Sequence, residues 1–116
     1  MYPDFDIIDK ADLLVIFARR IALSHKQMKQ LKSYIASGRP VIGIRTANHA
    51  FTAREKIAEG FEDWPEFVSS VLGCENRGYG PVEPGTDVTV NTNAANHPIL
   101  KGLPPQWRSE GNVYRV

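Results

Sequence analysis

Apolar positions along this chain fall into short unbroken runs separated by one long periodic stretch. Leu13-Leu14-Val15-Ile16-Phe17 has no polar interruption, which reads as a strand buried on both faces, as in a parallel sheet. Ile7-Ile8, followed by Lys10-Ala11-Asp12, forms a turn or short helical piece feeding that strand. Next, Ser24-His25-Lys26-Gln27 has the capping-box pattern, in which the Ser24 hydroxyl accepts from the helix backbone and Gln27 reaches back. A helix is predicted from there to about Ser37. Met28, Leu31, Tyr34 and Ile35 share one face, while Lys26, Lys29, Lys32 and Ser33 fall mostly elsewhere, and Gly38 supplies a left-handed stop. Val41 to Ile44 is the next apolar run, so strand, helix and strand predict a parallel crossover unit.

Beyond it the pattern weakens. Thr52-Ala53-Arg54-Glu55 has capping character and allows a short helix to Ala58 ending at Gly60, but its polar surface fits a loop equally well. Asp63-Trp64-Pro65-Glu66 opens a further predicted helix with a Phe67, Val68, Val71, Leu72 stripe, ended by Gly73. Cys74 to Gly85 carries Gly78, Gly80, Pro81 and Pro84 and should be irregular; Asp87 to Asn91 alternates and reads as a strand, followed by a polar turn to Asn96.

The Val41–Ile44 run passes directly into Arg45, Thr46, Asn48 and His49, placing these groups at the carboxyl end of a strand. In open α/β sheets that edge binds ligands. Arg45 reads as a fixed cation for a carboxylate, phosphate, sugar hydroxyl or oxyanion, or else as a structural ion pair with an acidic loop residue. His49, near the start of a helix, would be held neutral by the positive dipole end and could act as a base or metal ligand; the alternative is a residue that packs under the loop. Thr46 and Asn48 could donate to a substrate oxygen or bond their own backbone. His97, before Pro98, is presented from a rigid turn as a ligand group or a structural corner. Arg77 and Tyr79, flanked by glycines, could line a sugar site or belong to a surface loop.

Two stretches resemble known motifs. Gly43-Ile44-Arg45-Thr46-Ala47-Asn48-His49-Ala50-Phe51 is similar to the Gly-Ile-Cys-x-Gly-His-Gln-x-Phe strand and turn of class I glutamine amidotransferases, with Arg45 where the nucleophilic Cys stands. A guanidinium stays protonated and offers only donors, so glutaminase chemistry is argued against. His97-Pro98-Ile99-Leu100-Lys101-Gly102-Leu103-Pro104 resembles the His-Pro-Ile-x-x-Gly-Leu-Pro element of ThuA-like (trehalose-utilisation) proteins of the same superfamily. With the Asp12–Phe17 strand, the two motifs span most of the chain from Ala11 to Pro104.

The resemblance implies a single α/β domain over residues 1–116. It would be a flavodoxin-like three-layer sandwich with a mainly parallel sheet, incomplete at both ends and about half of a family domain. It also implies a sugar or keto-sugar substrate. In an isomerase- or lyase-type step next to a carbonyl, His49 would move a proton while Arg45 and backbone N–H groups hold developing negative charge. The rival expectation is a non-catalytic ligand-binding or assembly module that has lost its nucleophile. Cys74 follows a helix-ending glycine rather than a strand, the wrong context for an elbow nucleophile.

Composition narrows the partners. With 116 residues, 42% hydrophobic and 23% charged, the chain is sized for one ordinary domain. Fourteen Lys and Arg mixed among thirteen Asp and Glu leave a net charge of +1 and no footprint for nucleic acid. The longest apolar run, Leu13 to Ala18, is far short of the roughly 20 residues a membrane helix needs. A cytoplasmic location is therefore the default, with an upstream signal segment left open. His25, His49, His97, Cys74 and the scattered carboxylates lack close ligand spacing, and the loop Glu75 to Gly80 lacks the His-rich segment implied by the resemblance, so neither metal nor cofactor is expected. Exposed strand edges would favour a homo-oligomer.

Overall fold

The crossover unit forms as the apolar pattern predicts. In a computed structural model, residues 2–81 and 83–115 are described, and the chain divides into two compact units, Met1–Asn76 and Arg77–Val116. The first opens with a 3-10 helix, Phe5–Lys10, followed by β1 (Leu14–Ile16), β2 (Leu23–Ser24), α1 (His25–Ala36) and β3 (Val41–Gly43). β1 and β3 pair in parallel, with Leu14 opposite Val41, Val15 opposite Ile42 and Ile16 opposite Gly43. β4 (Phe61–Glu62) pairs antiparallel with β2, and a single helical turn, α2 (Phe67–Ser70), follows.

At its amino end α1 is capped by Ser24, whose side chain accepts from the Gln27 backbone at 3.4 Å. Gln27 does reach back, its Oε1 accepting from the Ser24 hydroxyl at 3.3 Å rather than from the cap backbone. Its Nε2 donates to the Tyr2 carbonyl at 2.7 Å, tying the start of the chain to the helix. The predicted stripe is the buried one: Met28, Leu31 and Tyr34 are inside, packed with Ile8, Ile16, Leu23, Phe51 and Phe67, while Ile35 is half-buried. Each such side chain contributes about 1.5–3 kcal/mol when fully withdrawn from water. Gly38 ends the helix at φ +74°. Just beyond it, Arg39 stacks on the Tyr34 ring at 4.1 Å and donates to the carbonyls of Ile8, Asp9 and Ala11 at 3.3, 3.1 and 3.0 Å. These carbonyls end the opening 3-10 helix, where a cation also meets the negative end of its dipole.

Three expectations are corrected. The flavodoxin-like three-layer sandwich does not form: the strands of the described residues make only two-stranded sheets, and the one parallel pair has helix α1 packed on one side. The β1 run, expected to be buried on both faces, alternates instead. Ile16 faces the core, whereas Leu13, Val15 and Phe17 on β1 and its flanks, and Ile42 and Ile44 beside them, stay between 44% and 67% exposed. An all-apolar run has no polar position to mark its open face. Finally, the helix predicted from Asp63 to Gly73 shrinks to α2, while residues 52–58, for which a short helix and a loop both stood open, form the loop. Asp63 is engaged elsewhere: its Oδ2 accepts from the Ala53 backbone at 3.3 Å rather than capping a helix.

In the second unit, β5 (Thr86–Thr89) and β6 (Gln106–Ser109) form an antiparallel pair, with Val88 opposite Trp107. Arg108 joins the strands through Asp87 at 2.7 Å. Short 3-10 turns at Thr92–Ala94 and Pro98–Leu100 lie between them. None of this unit's described residues is buried.

Two substitution sets test this packing by urea unfolding of the intact chain. Leu31→Ala should lose about 2–5 kcal/mol as a core truncation, whereas Val15→Thr and Ile42→Thr should each stay within about 0.5 kcal/mol, as open positions do. Comparable losses at all three would mean the outer face is covered. Gly38→Ala meets no atom within 4 Å, so its expected loss of about 1 kcal/mol comes from the left-handed backbone alone.

Candidate functional site

Beyond β3 the chain turns sharply. Ile44 is extended, at φ −108° and ψ 125°, and the next residue, Arg45, stands in the left-handed region at φ +48° before the 3-10 turn Arg45–His49. A positive φ on a side chain of this size is costly, and a strained strand-to-helix turn is the backbone form that presents a nucleophile in elbow-type sites. Here it presents an exposed guanidinium. The turn can lie close because residue 43 is Gly: an added Cβ would stand 3.0 Å from Leu72 and 3.1 Å from Ala47. Thr46 is half-buried, and Ala47, Asn48 and His49 are buried.

His49 is gripped at Nδ1. Asn48 Oδ1 lies 2.5 Å away and the Asn76 carboxamide 3.2 Å away. Nδ1 thus faces an acceptor, Asn48 Oδ1, and a donor, Asn76 Nδ2, and which of the two it pairs with follows the ring tautomer. The pKa of His49 lies below its ordinary value, first because burial disfavours the charged ring, then through the charges of Arg20, Arg19 and Arg54. The expected neutral imidazole is therefore found with a different cause. His49 is the last residue of its turn, not in the first turn of a helix, so the dipole argument does not apply. Beside it, the buried Asn48 Nδ2 has no hydrogen-bond partner among the described residues.

The carboxyl end of β1 meets this turn. Arg20 N donates to the His49 carbonyl at 3.1 Å and Ile21 N to that of Ala50 at 2.7 Å, fastening the two strand-end loops together. Arg20, like Arg45, has positive φ, at 53°. Alongside lies a hollow of about 510 Å³ whose polar lining is Arg19, Arg20, Arg54, Glu55 and Lys56. Sequence reasoning missed these residues and Asn76. Applying the strand-end rule to β1 as well as to β3 would have found Arg19 and Arg20, but Asn76 carried no signal.

Arg45, Thr46, Asn48 and His49 thus share one turn of the first unit, whereas His97, Arg77 and Tyr79 belong to the second. There, His97 Nδ1 accepts from Ile99 N at 3.3 Å and caps the Pro98–Leu100 turn, the structural-corner geometry. Tyr79 is exposed, its ring edge-on to Tyr114 with centroids 6.0 Å apart, and Arg77 N donates to the Arg115 carbonyl at 2.9 Å. Among the described residues no group of three or more His, Cys, Asp or Glu is placed to hold a metal, and no helix is long and apolar enough to cross a membrane. Comparison with protein-family models, curated proteins and solved structures gave no match.

Linkage sets the sign of a pH test. Well above 6.5, the ordinary imidazole value, the ring is neutral whether the chain is folded or not. As pH falls through that value the unfolded chain takes the proton first, so stability drops until the lower folded pKa has been passed. Urea midpoints between about pH 8 and 5 should show this slope, and His49→Gln should remove its part of it. An unchanged slope would mean His49 titrates normally. Strain at residue 45 has its own measure: Arg45→Gly and Arg45→Ala both delete the guanidinium, and the glycine variant should be about 1 kcal/mol more stable.

Proposed function

We propose that the carboxyl end of the β1–β3 pair is a small-molecule site of a ThuA-like protein that takes a sugar or keto-sugar derivative and has no glutaminase activity. The observation that carries this reading is Arg45, held at φ +48° between β3 and a turn whose last residue is a neutral, buried His49. Strained side-chain backbone persists where the surrounding structure enforces it, which is commonly at functional sites. The two motifs that resemble amidotransferase-like and ThuA-like proteins supply the substrate class.

Chemically, the turn offers a permanent cation at Arg45, a neutral imidazole at His49 and an unpartnered donor on Asn48. In an isomerisation or elimination beside a carbonyl, His49 would accept the α-proton while Arg45 held the negative charge that develops on oxygen. Burial of His49 and its carboxamide clamp favour a second reading, a binding module without turnover, in which the ring is a fixed wall of the site.

Incubating the intact chain with fructose and related keto-sugars, with calorimetry for binding and mass balance for products, separates the two. Arg45→Ala should weaken binding or turnover about tenfold or more while leaving the unfolding midpoint near that of the parent. Saturable binding with no product selects the module. An Arg45→Ala variant that binds normally but loses stability would return Arg45 to a structural ion pair.

A further inference from the structure

The hollow beside the strand-end turn is more strongly charged than the chain that forms it. Four cations, Arg19, Arg20, Arg54 and Lys56, line it with one carboxylate, Glu55, although the whole chain carries only +1. Arg19, Arg54 and Lys56 have no carboxylate partner among the described residues. Like charges gathered in excess repel one another, and an excess of cations over the single carboxylate Glu55 favours an incoming anion.

Its walls are held by backbone rather than by chance contact. On one side the Arg19–Arg20 segment is fixed by the hydrogen bonds from Arg20 and Ile21 to His49 and Ala50. The facing loop is anchored by Ala53 N to Asp63, Trp64 N to the Phe51 carbonyl at 2.8 Å, and His25 N to the Gly60 carbonyl at 3.1 Å. A volume of about 510 Å³ lies within the usual small-molecule range of roughly 300–1,000 Å³. Ala22, Ile57 and Phe61 add an apolar wall. Guanidinium groups match phosphate oxygens in paired hydrogen bonds, and several cations suit a dianion better than a single carboxylate.

We infer that this hollow binds the phosphate of a phosphorylated small molecule, holding a sugar phosphate by its anionic end next to the Arg45–His49 turn. The sugar half of this statement rests on the function proposed above; the phosphate half rests on the hollow alone.

Fructose and fructose 6-phosphate differ only in the phosphate, so titrating both into the intact chain, with inorganic phosphate as competitor, is the test. Expected is saturable binding of fructose 6-phosphate at least tenfold tighter than fructose, competition by inorganic phosphate, and weakening with added salt. Arg54→Ala and Lys56→Ala are at exposed positions and should each weaken fructose 6-phosphate binding several-fold, and the pair more, with unchanged unfolding midpoints. Gluconate binding as tightly as fructose 6-phosphate overturns phosphate preference, as does equal affinity for fructose and its phosphate or no effect of either substitution. If inorganic phosphate binds as well as the sugar phosphate and Arg45→Ala alters neither, the phosphate site stands and the sugar reading falls. If fructose binds with Arg45 dependence and the phosphate adds nothing, the sugar reading stands and the phosphate site falls.

Discussion

Everything in the first unit depends on α1 laying one stripe across a parallel sheet of only two strands. Met28, Leu31 and Tyr34 reach Ile8, Ile16 and Leu23, and Arg39 then locks the helix end to the opening 3-10 helix through Tyr34 and three carbonyls. Because β1 and β3 run the same way in a fixed register, their carboxyl ends open on the same side. Loops that are distant in sequence, 17–22 and 44–50, are thereby brought close enough to share backbone hydrogen bonds. The candidate site is a consequence of that direction and register. No long helix or large sheet is needed to make it.

The same economy leaves one face open. A helix can cover one side of a sheet, and the residues opposite, Val15, Phe17, Ile42 and Ile44, remain in water. In a larger α/β sheet such a face would be covered by a second layer. The second unit's described residues are not buried either, so the buried apolar core belongs to Met1–Asn76.

Legibility followed how local the determining physics is. The Ser24 cap, the i, i+3, i+6 stripe of α1 and the Gly38 stop are settled within a few residues, and all three were readable from sequence. Burial of β1 was misread because Leu13 to Phe17 is apolar at every position, and which face is covered depends on elements elsewhere in the chain. Asp63 looked like a helix cap, yet it satisfies the backbone of Ala53 ten residues earlier, a tertiary contact with no sequence signature. Two-residue strands such as β2 and β4 are too short to show any period. At the site, the Arg45–His49 turn was legible from its position after an apolar run. Its surroundings were not: Asn76 reaches His49 from 27 residues away, and Arg20 meets the turn only through a backbone hydrogen bond to His49.

His49 shows why those surroundings matter chemically. A helix dipole would lower its pKa only while the ring stayed near a helix amino end, and would leave the residue accessible. Burial among Asn48, Asn76 and three nearby arginine charges lowers it instead through desolvation and like-charge repulsion. The second mechanism couples the ring to whatever occupies the basic hollow. An anion there would offset the charges of Arg19, Arg20 and Arg54 and so ease protonation of His49, moving the proton affinity of the turn in step with ligand binding. For the base role proposed for His49, a proton affinity that rises when an anion binds nearby would favour accepting the proton with ligand in place. The Arg20–His49 and Ile21–Ala50 hydrogen bonds therefore do more than hold two loops together: they set the distance over which charge in the hollow is felt at the ring.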